Sequence, residues 1–306
     1  MYSGQMNEGT IFPATDFNPG VDAEVLASAL QGMECNKDDL IEILTQRSNA
    51  QRLIIAQIYN DSYGQDLVTD LKEKLSNHFQ EVIVGLMYPL AFFDAYQLRN
   101  AMKGIGTDEN CLIEILASRT NDEINAINEV YLMQFDVPIQ FDVESETSGH
   151  FRDALVILTQ GAREEGYEYE DQEMATQDAT YLWEACQGNT AEDRNKLQEF
   201  LCRKSYQQLW LVFNNSNSYL TKILNKQSPS AVKEIFRNYL LQLDLGFHNK
   251  TIIRILISRS ELDLMNIKRN YKERYGNSLN QDIRQNASGH YEAALLAIST
   301  GDAEDY

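Results

Sequence analysis

Cysteine, proline and basic residues are all scarce in this chain, and each scarcity narrows what the protein can be. Four cysteines occur in 306 residues, at Cys35, Cys111, Cys186 and Cys202, with no CxxC pair among them. Scattered single thiols give no disulfide framework and read as the reduced thiols of a cytosolic protein. Lysine and arginine total 26 against 46 aspartates and glutamates, a formal charge of −20. Unaided adhesion to nucleic acid or to an anionic bilayer is therefore disfavoured, although a divalent cation could reverse that locally. No apolar run reaches ~18 residues, so no membrane span is expected. The first residues lack a basic-then-apolar leader pattern, so no signal peptide is expected, and tyrosine at position 2 excludes N-myristoylation. No Ser-His-Asp, P-loop, Rossmann, EF-hand or HExxH pattern occurs, and enzyme activity is not expected.

What the chain does have is helical periodicity and an internal repeat. Hydrophobic residues make up 43% of it, enough for a substantial core. Residues 1–20 carry Gly4, Gly9, Pro13, Pro19 and Gly20 with little periodicity and read as a tail laid over the folded body. From Val21 onward the pattern is helical, with no alternating strand signal. The run Leu40–Asn49 (LIEILTQRSN) recurs at Leu112–Asn121 (LIEILASRTN), an offset of 112 − 40 = 72 that also carries Tyr59 onto Tyr131. A third copy, Ile252–Ser260, ends in Arg259 and Ser260 and again places a tyrosine, Tyr271, twelve residues past the arginine. A fainter copy runs from Leu197 to Ser205, with Lys204 in place of the arginine. Four units follow from this.

Boundaries within a unit are legible in the second one. Phe92–Lys103 is an amphipathic helix, Asp108–Ser118 the next, and Thr120 with Glu123 forms a capping box opening a third, through Phe135. Pro138 restarts the chain, and Thr147-Ser148-Gly149 precedes a last helix through Gln160. Ser48 with Gln51 repeats the capping box in the first unit. The expectation is an all-α array of four repeats of about five short helices each, in which neighbours complete one another's cores. The expected bounds are a tail at 1–20, repeats at 21–90 and 91–162, an acidic linker at 163–177, and repeats at 178–240 and 241–306.

Between the first two helices of the second unit lies Met102-Lys103-Gly104-Ile105-Gly106-Thr107-Asp108. Two glycines around one apolar residue let backbone carbonyls turn toward a common point without steric penalty. Thr107 is a good N-cap, and Asp108 and Glu109 suit the positive end of a helix dipole. Carbonyls beside a carboxylate are hard oxygen ligands of the kind calcium prefers. An ordinary glycine-rich turn is the plain alternative.

These residues resemble the annexin repeat: GxGT-[DE], then an acidic residue with Thr-Ser-Gly, in units of about seventy residues. The match runs through Gly104, Gly106, Thr107, Asp108 and Glu146-Thr147-Ser148-Gly149, and the resemblance covers residues 21–306. It implies four annexin-like repeats in a curved array. It also implies a main calcium site built from the carbonyls of Met102, Gly104 and Gly106 with the bidentate side chain of Glu146. A minor position would use Thr107 and Glu109, although helix capping explains those two equally well. The main set supplies five oxygens where calcium takes roughly 6–8, leaving places for water or a lipid phosphoryl oxygen. With one carboxylate, lipid-free affinity is expected to be poor, on the order of 10⁻⁴–10⁻³ M. Anionic phospholipid is the implied partner, bound cooperatively with calcium.

The other units lack this set. Subtracting 72 from Gly106 and Glu146 lands on Glu34 and Lys74, an anion for a glycine and a cation for the carboxylate. The third unit offers Gln187-Gly188-Asn189-Thr190 and Lys226; the fourth keeps Gly246 but has Asp244 and Asn286. One site of four is expected, and with it a loss of most of the ~10²–10⁴ avidity that several bridges on one face would provide. The interval between Lys204 and Arg259 is 259 − 204 = 55, short of 72 by 17 residues, as if a helix and loop were missing between Tyr219 and Gly246.

Remaining features have plain readings. His78, His150, His248 and His290 are expected at surface or capping positions. Phe135, Tyr181, Trp183 and Trp210 are expected in the core. Lys268, Arg269, Lys272 and Arg274 are expected on a solvated helix face, and Glu164 to Glu173 in a solvated linker. Three functions are compatible with the sequence. The first is a cytoplasmic, reversibly membrane-associated calcium-dependent phospholipid-binding protein, with a nuclear pool left open. The second is a calcium-insensitive interaction scaffold, with protein partners for the tail, and the third a weak hydrolase with no supporting constellation.

Overall fold

The computed structural model describes residues 8–32, 34–165, 172–188, 190–215 and 248–300. The first repeat holds five helices: α1 (Pro19–Leu30), α2 (Lys37–Thr45), α3 (Asn49–Tyr63), α4 (Leu67–Lys74) and α5 (Asn77–Leu86). The second holds another five: α6 (Leu90–Met102), α7 (Glu109–Ser118), α8 (Asn121–Phe135), α9 (Ile139–Glu146) and α10 (Gly149–Leu158). Further on come α11 (Gln172–Gln187), α12 (Ala191–Arg203) and α13 (Tyr206–Asn215). The last group is α14 (Asn249–Arg259), α15 (Leu264–Tyr275), α16 (Leu279–Asn286) and α17 (Gly289–Ile298). Among the described residues there is no strand. The segment between Tyr219 and Gly246, where a helix is expected to be missing, lies outside the described residues, as does Lys226.

Two compact units form, and their composition is not sequential: Met1–Leu90 joins Leu245–Tyr306, while Ala91–Asp244 forms the other. The first repeat therefore shares its unit with the fourth, and the second with the third. In the second unit, Leu98, Leu112, Ile115, Ile127, Tyr131, Val143 and Leu155 are buried in one cluster. Each fully buried side chain of this size contributes about 1.5–3 kcal/mol.

The repeated residues of the sequence turn out to be polar pins between helices. The basic residue that ends the second helix of a repeat reaches back to an acid on the first. Arg47 Nε donates to Asp22 at 2.7 Å, Arg119 Nε to Asp94 at 2.6 Å, and Lys204 lies 3.7 Å from Asp178. Arg259 instead pairs with Asp263 on its own C-terminal side. The repeated tyrosines tie the third helix to the fourth. Tyr59 donates to Asp70 at 2.7 Å, Tyr131 to Asp142, and Tyr271 to Asp282 at 2.5 Å. Burial and the facing carboxylate push all three phenols up, so they remain protonated donors. The capping boxes at Ser48/Gln51 and Thr120/Glu123 are both formed.

Several side chains depart from the sequence reading. Lys268 is buried at 4% exposure and donates to the Ser299 carbonyl, so it leaves the basic cluster and satisfies a helix end instead. Tyr181 is 42% exposed and is not core, whereas Trp183 and Phe135 are partly buried against their clusters. Glu164 is solvent-exposed, as expected of the acidic linker, while its N–H donates to the Arg203 carbonyl at 2.6 Å and its carboxylate lies 3.4 Å from Lys204. Arg52 is fully buried, donating to the Leu86 and Leu44 carbonyls and to Glu261. Burial pulls its pKa down to about 10, which leaves it charged at neutral pH.

The tail is a strap rather than an arm. The N–H groups of Thr10 and Ile11 donate to Ser260 at 2.6 and 3.0 Å, and the Met265 N–H donates to Glu8 at 2.9 Å. Gln51 then clasps Ala14 with two side-chain bonds of 2.9 Å, so the segment from residue 8 to residue 14 is fastened at both ends to its own unit. Close approach explains Gly9, because a Cβ there would stand 2.7 Å from the Ser260 carbonyl oxygen. Gly9→Ala is accordingly expected to cost about 1–3 kcal/mol through overpacking, read as a lowered denaturation midpoint. An unchanged midpoint would show that the strap does not contribute.

Candidate calcium site

The loop that joins α6 to α7 is closed by a small set of bonds. The Asp108 N–H donates to the Ala101 carbonyl at 2.8 Å, turning the chain back on the end of α6. Asp108, not Thr107, caps α7: its side chain accepts the Cys111 N–H at 3.1 Å, and the helix starts at Glu109. Thr107 is released from capping, and its hydroxyl donates to the Glu146 carbonyl oxygen at 3.0 Å. This bond fastens the glycine loop to the end of α9, across 39 residues of sequence.

The two glycines are required by backbone conformation and not by crowding. Gly104 and Gly106 have φ of 108° and 86°, and a Cβ on either would meet nothing within 4 Å. Both turn the backbone through the left-handed region that other residues avoid. Ile105 stands between them with 109% relative exposure, an apolar side chain held fully in water at the loop apex. Met102 closes α6 with its side chain 4% exposed, while Glu109 is exposed and Thr107 half-buried.

Glu146 is the last residue of α9, and its side chain is exposed. A carboxylate there faces the negative end of the helix dipole. No described cation or hydrogen-bond donor contacts it. The far end of α9 is anchored, since Asp142 accepts from both Tyr131 and Arg99. A hard divalent cation suits the chemistry of this donor set: neutral backbone carbonyls, open space around the glycines, and an uncompensated carboxylate on the residue whose backbone is tied to the loop. Among the described residues no group of three or more His, Cys, Asp or Glu gathers to hold a metal, which a site made mainly of carbonyls does not require.

The first repeat shows the same frame with different chemistry. Asn36 caps α2 as Asp108 caps α7, and its N–H donates to Ala29 at 2.9 Å. Gly32 has φ of 89°, matching Gly104, and α4 ends at Lys74 as α9 ends at Glu146. Here Lys74 Nζ donates to the Gly32 carbonyl at 2.9 Å. The offset of 72 already paired these positions; what the sequence did not show was the lysine reaching the loop. In the third repeat, Asp193 is spent in a capping box with Thr190. In the fourth, Asn286 donates to the Asp282 carbonyl at 2.8 Å, and Asp244 and Gly246 lie outside the described residues.

The repeated five-helix unit and its glycine loop are those of one family, and the chain belongs to the annexins. A sequence model of that family, described as Annexin, matches residues 21–86, 93–158 and 242–298, passing over the third repeat. The chain is 54% identical to annexin A10 of Homo sapiens over 326 positions covering 100% of both chains. Among solved structures it is similar to annexin III, with a TM-score of 0.88 and 37% identity over 96% of this chain and 98% of that one. It is also similar to a calcium-bound annexin (Sm)1, with a TM-score of 0.80 and 27% identity over 97% and 94%. Annexins in general bind phospholipid in a calcium-dependent way and are not enzymes. No described helix is long and apolar enough to cross a membrane.

Proposed function

We propose that this chain is a peripheral membrane-binding protein that attaches to anionic phospholipid through a single calcium ion held in the second repeat. The carbonyls of Met102, Gly104 and Gly106 and the carboxylate of Glu146 are the ligands, with the Thr107 carbonyl and Glu109 as a lesser position. The observation that carries this reading is the Thr107 hydroxyl on the Glu146 carbonyl, which ties the glycine loop to the helix end bearing the carboxylate. Bound there, calcium supplies two positive charges and open coordination positions to a phosphoryl oxygen. The chain's own residues do the rest. Gly104 and Gly106 set the backbone turn, Asp108 fixes the start of α7, and Asp142 holds α9 against Tyr131 and Arg99. Ile105 faces outward from the same loop, where its side chain meets the acyl boundary of a bilayer drawn to the ion.

The Lys74 ammonium on the Gly32 loop speaks for calcium insensitivity in the first repeat, so attachment rests on one bridge. It is reversible and needs high calcium. Co-sedimentation with anionic vesicles, with and without chelator, tests the proposal; calcium-independent pelleting would favour a scaffold that merely keeps the fold. Ile105→Asp is expected to weaken calcium-dependent vesicle binding about tenfold, the loss of one apolar side chain from the interface. Undiminished binding would place the loop apex away from the bilayer.

A further inference from the structure

The first repeat carries a cation of its own. Its loop shares one closing bond with the second repeat's, Asn36 N–H to Ala29 where Asp108 donates to Ala101, together with an Asx cap in each and a glycine with φ near 90° or above in each. The helix that delivers the facing side chain ends at the matching residue, Lys74 for Glu146. Two differences then belong together. Cys35 stands where Thr107 stands, so the hydroxyl that fastens the second loop to its helix end is absent from the first. In its place Lys74 Nζ bonds the Gly32 carbonyl at 2.9 Å, from a helix end whose partial negative charge favours a cation.

We propose that Lys74 is a resident cation in the first repeat, its ammonium taking the place of a divalent metal and fixing the Gly32 loop independently of calcium. An ammonium has three donors and is tethered to the chain, so it satisfies a loop carbonyl at any calcium concentration, where calcium would satisfy several only when bound. Glu34, at the position of Gly106, is compatible with this arrangement. Glutamate is a residue type that resists the left-handed conformation Gly106 adopts. The first repeat is thereby removed from calcium control without losing its loop structure.

Hydrogen exchange on the full chain tests this. Lys74→Met is expected to raise exchange about tenfold at the Gln31 and Asn36 amides, which close the loop onto Ser28 and Ala29, through the loss of one charge-assisted bond, with or without calcium. Lys74→Arg is expected to retain protection. As a second arm, Glu34→Gly with Lys74→Glu restores the second repeat's residue types at the second glycine and at the carboxylate. Placed in a Glu146→Gln chain, this pair is expected to take up one calcium ion more than its Glu146→Gln parent by calorimetry. That increment is independent of whether the second repeat itself binds. Unchanged exchange in Lys74→Met, or no added ion in the double variant, would overturn the proposal.

Discussion

Asp94→Ala lowers the stability of the fold by about 3–5 kcal/mol, because it leaves a buried guanidinium without its counter-charge. Arg119 and Asp94 are each only 4% exposed, and the guanidinium grips both carboxylate oxygens, at 2.6 and 3.0 Å. Burial opposes the charge on Arg119, and the Asp94 carboxylate outweighs it, holding the arginine protonated. Removing the acid keeps the desolvation cost and loses the compensation. Asp22→Ala at the matching position costs less, since Arg47 is 19% exposed and water can replace the lost partner. Denaturant titrations at unchanged slope measure both losses. A cost for Asp94→Ala no greater than that for Asp22→Ala would show that burial does not govern these pins.

Glu146→Gln abolishes calcium-dependent attachment while leaving the fold intact. The exchange keeps the size and the helix end but removes the only carboxylate assigned to the main site. The carbonyls of Met102, Gly104 and Gly106 are neutral, and hard dications are held poorly without a charged ligand. Because Thr107 bonds the backbone carbonyl of Glu146 and not its side chain, the loop stays fastened in the variant. Vesicle binding is expected to fall to the chelated baseline at every calcium concentration, with the denaturation midpoint unmoved. Retained binding would move the ion elsewhere.

Much of this architecture was legible because it repeats. The run at Leu40–Asn49 and its copy at Leu112–Asn121 gave the helices, their capping boxes and their order, since capping and periodicity are local. The glycine pair in the second repeat was legible for the same reason, a positive φ being written in residue type. Long-range consequences were not. Nothing local distinguishes Thr107 as a cap from Thr107 as a tether to Glu146, and Asp108 competes for the same helix start. Lys74 read as a cation in the place of a carboxylate, and nothing local showed that its ammonium also reaches the Gly32 carbonyl. Lys268 sat among basic neighbours, yet helix rotation turns it inward onto the Ser299 carbonyl. The pairing of the first repeat with the fourth in one compact unit also left no mark on the sequence, because it arises from faces meeting across some two hundred residues.

The third repeat shows the opposite limit. The family's sequence pattern passes over it, and its loop residues differ from the second repeat's at both glycine positions. What it retains is structural: the Lys204–Asp178 pair and a capped α12. Helix pins persist where ligand positions do not, which fits the proposed division between a repeated fold and chemistry held in the second repeat.

Calcium titration of the full chain, with and without anionic phospholipid vesicles, bears most directly on that division. A single site completed by a phosphoryl oxygen predicts one ion per chain, poor affinity without vesicles, and a marked gain with them that Glu146→Gln removes. Equal calcium affinity in the presence and absence of vesicles, or equal vesicle binding by wild type and Glu146→Gln, would contradict it.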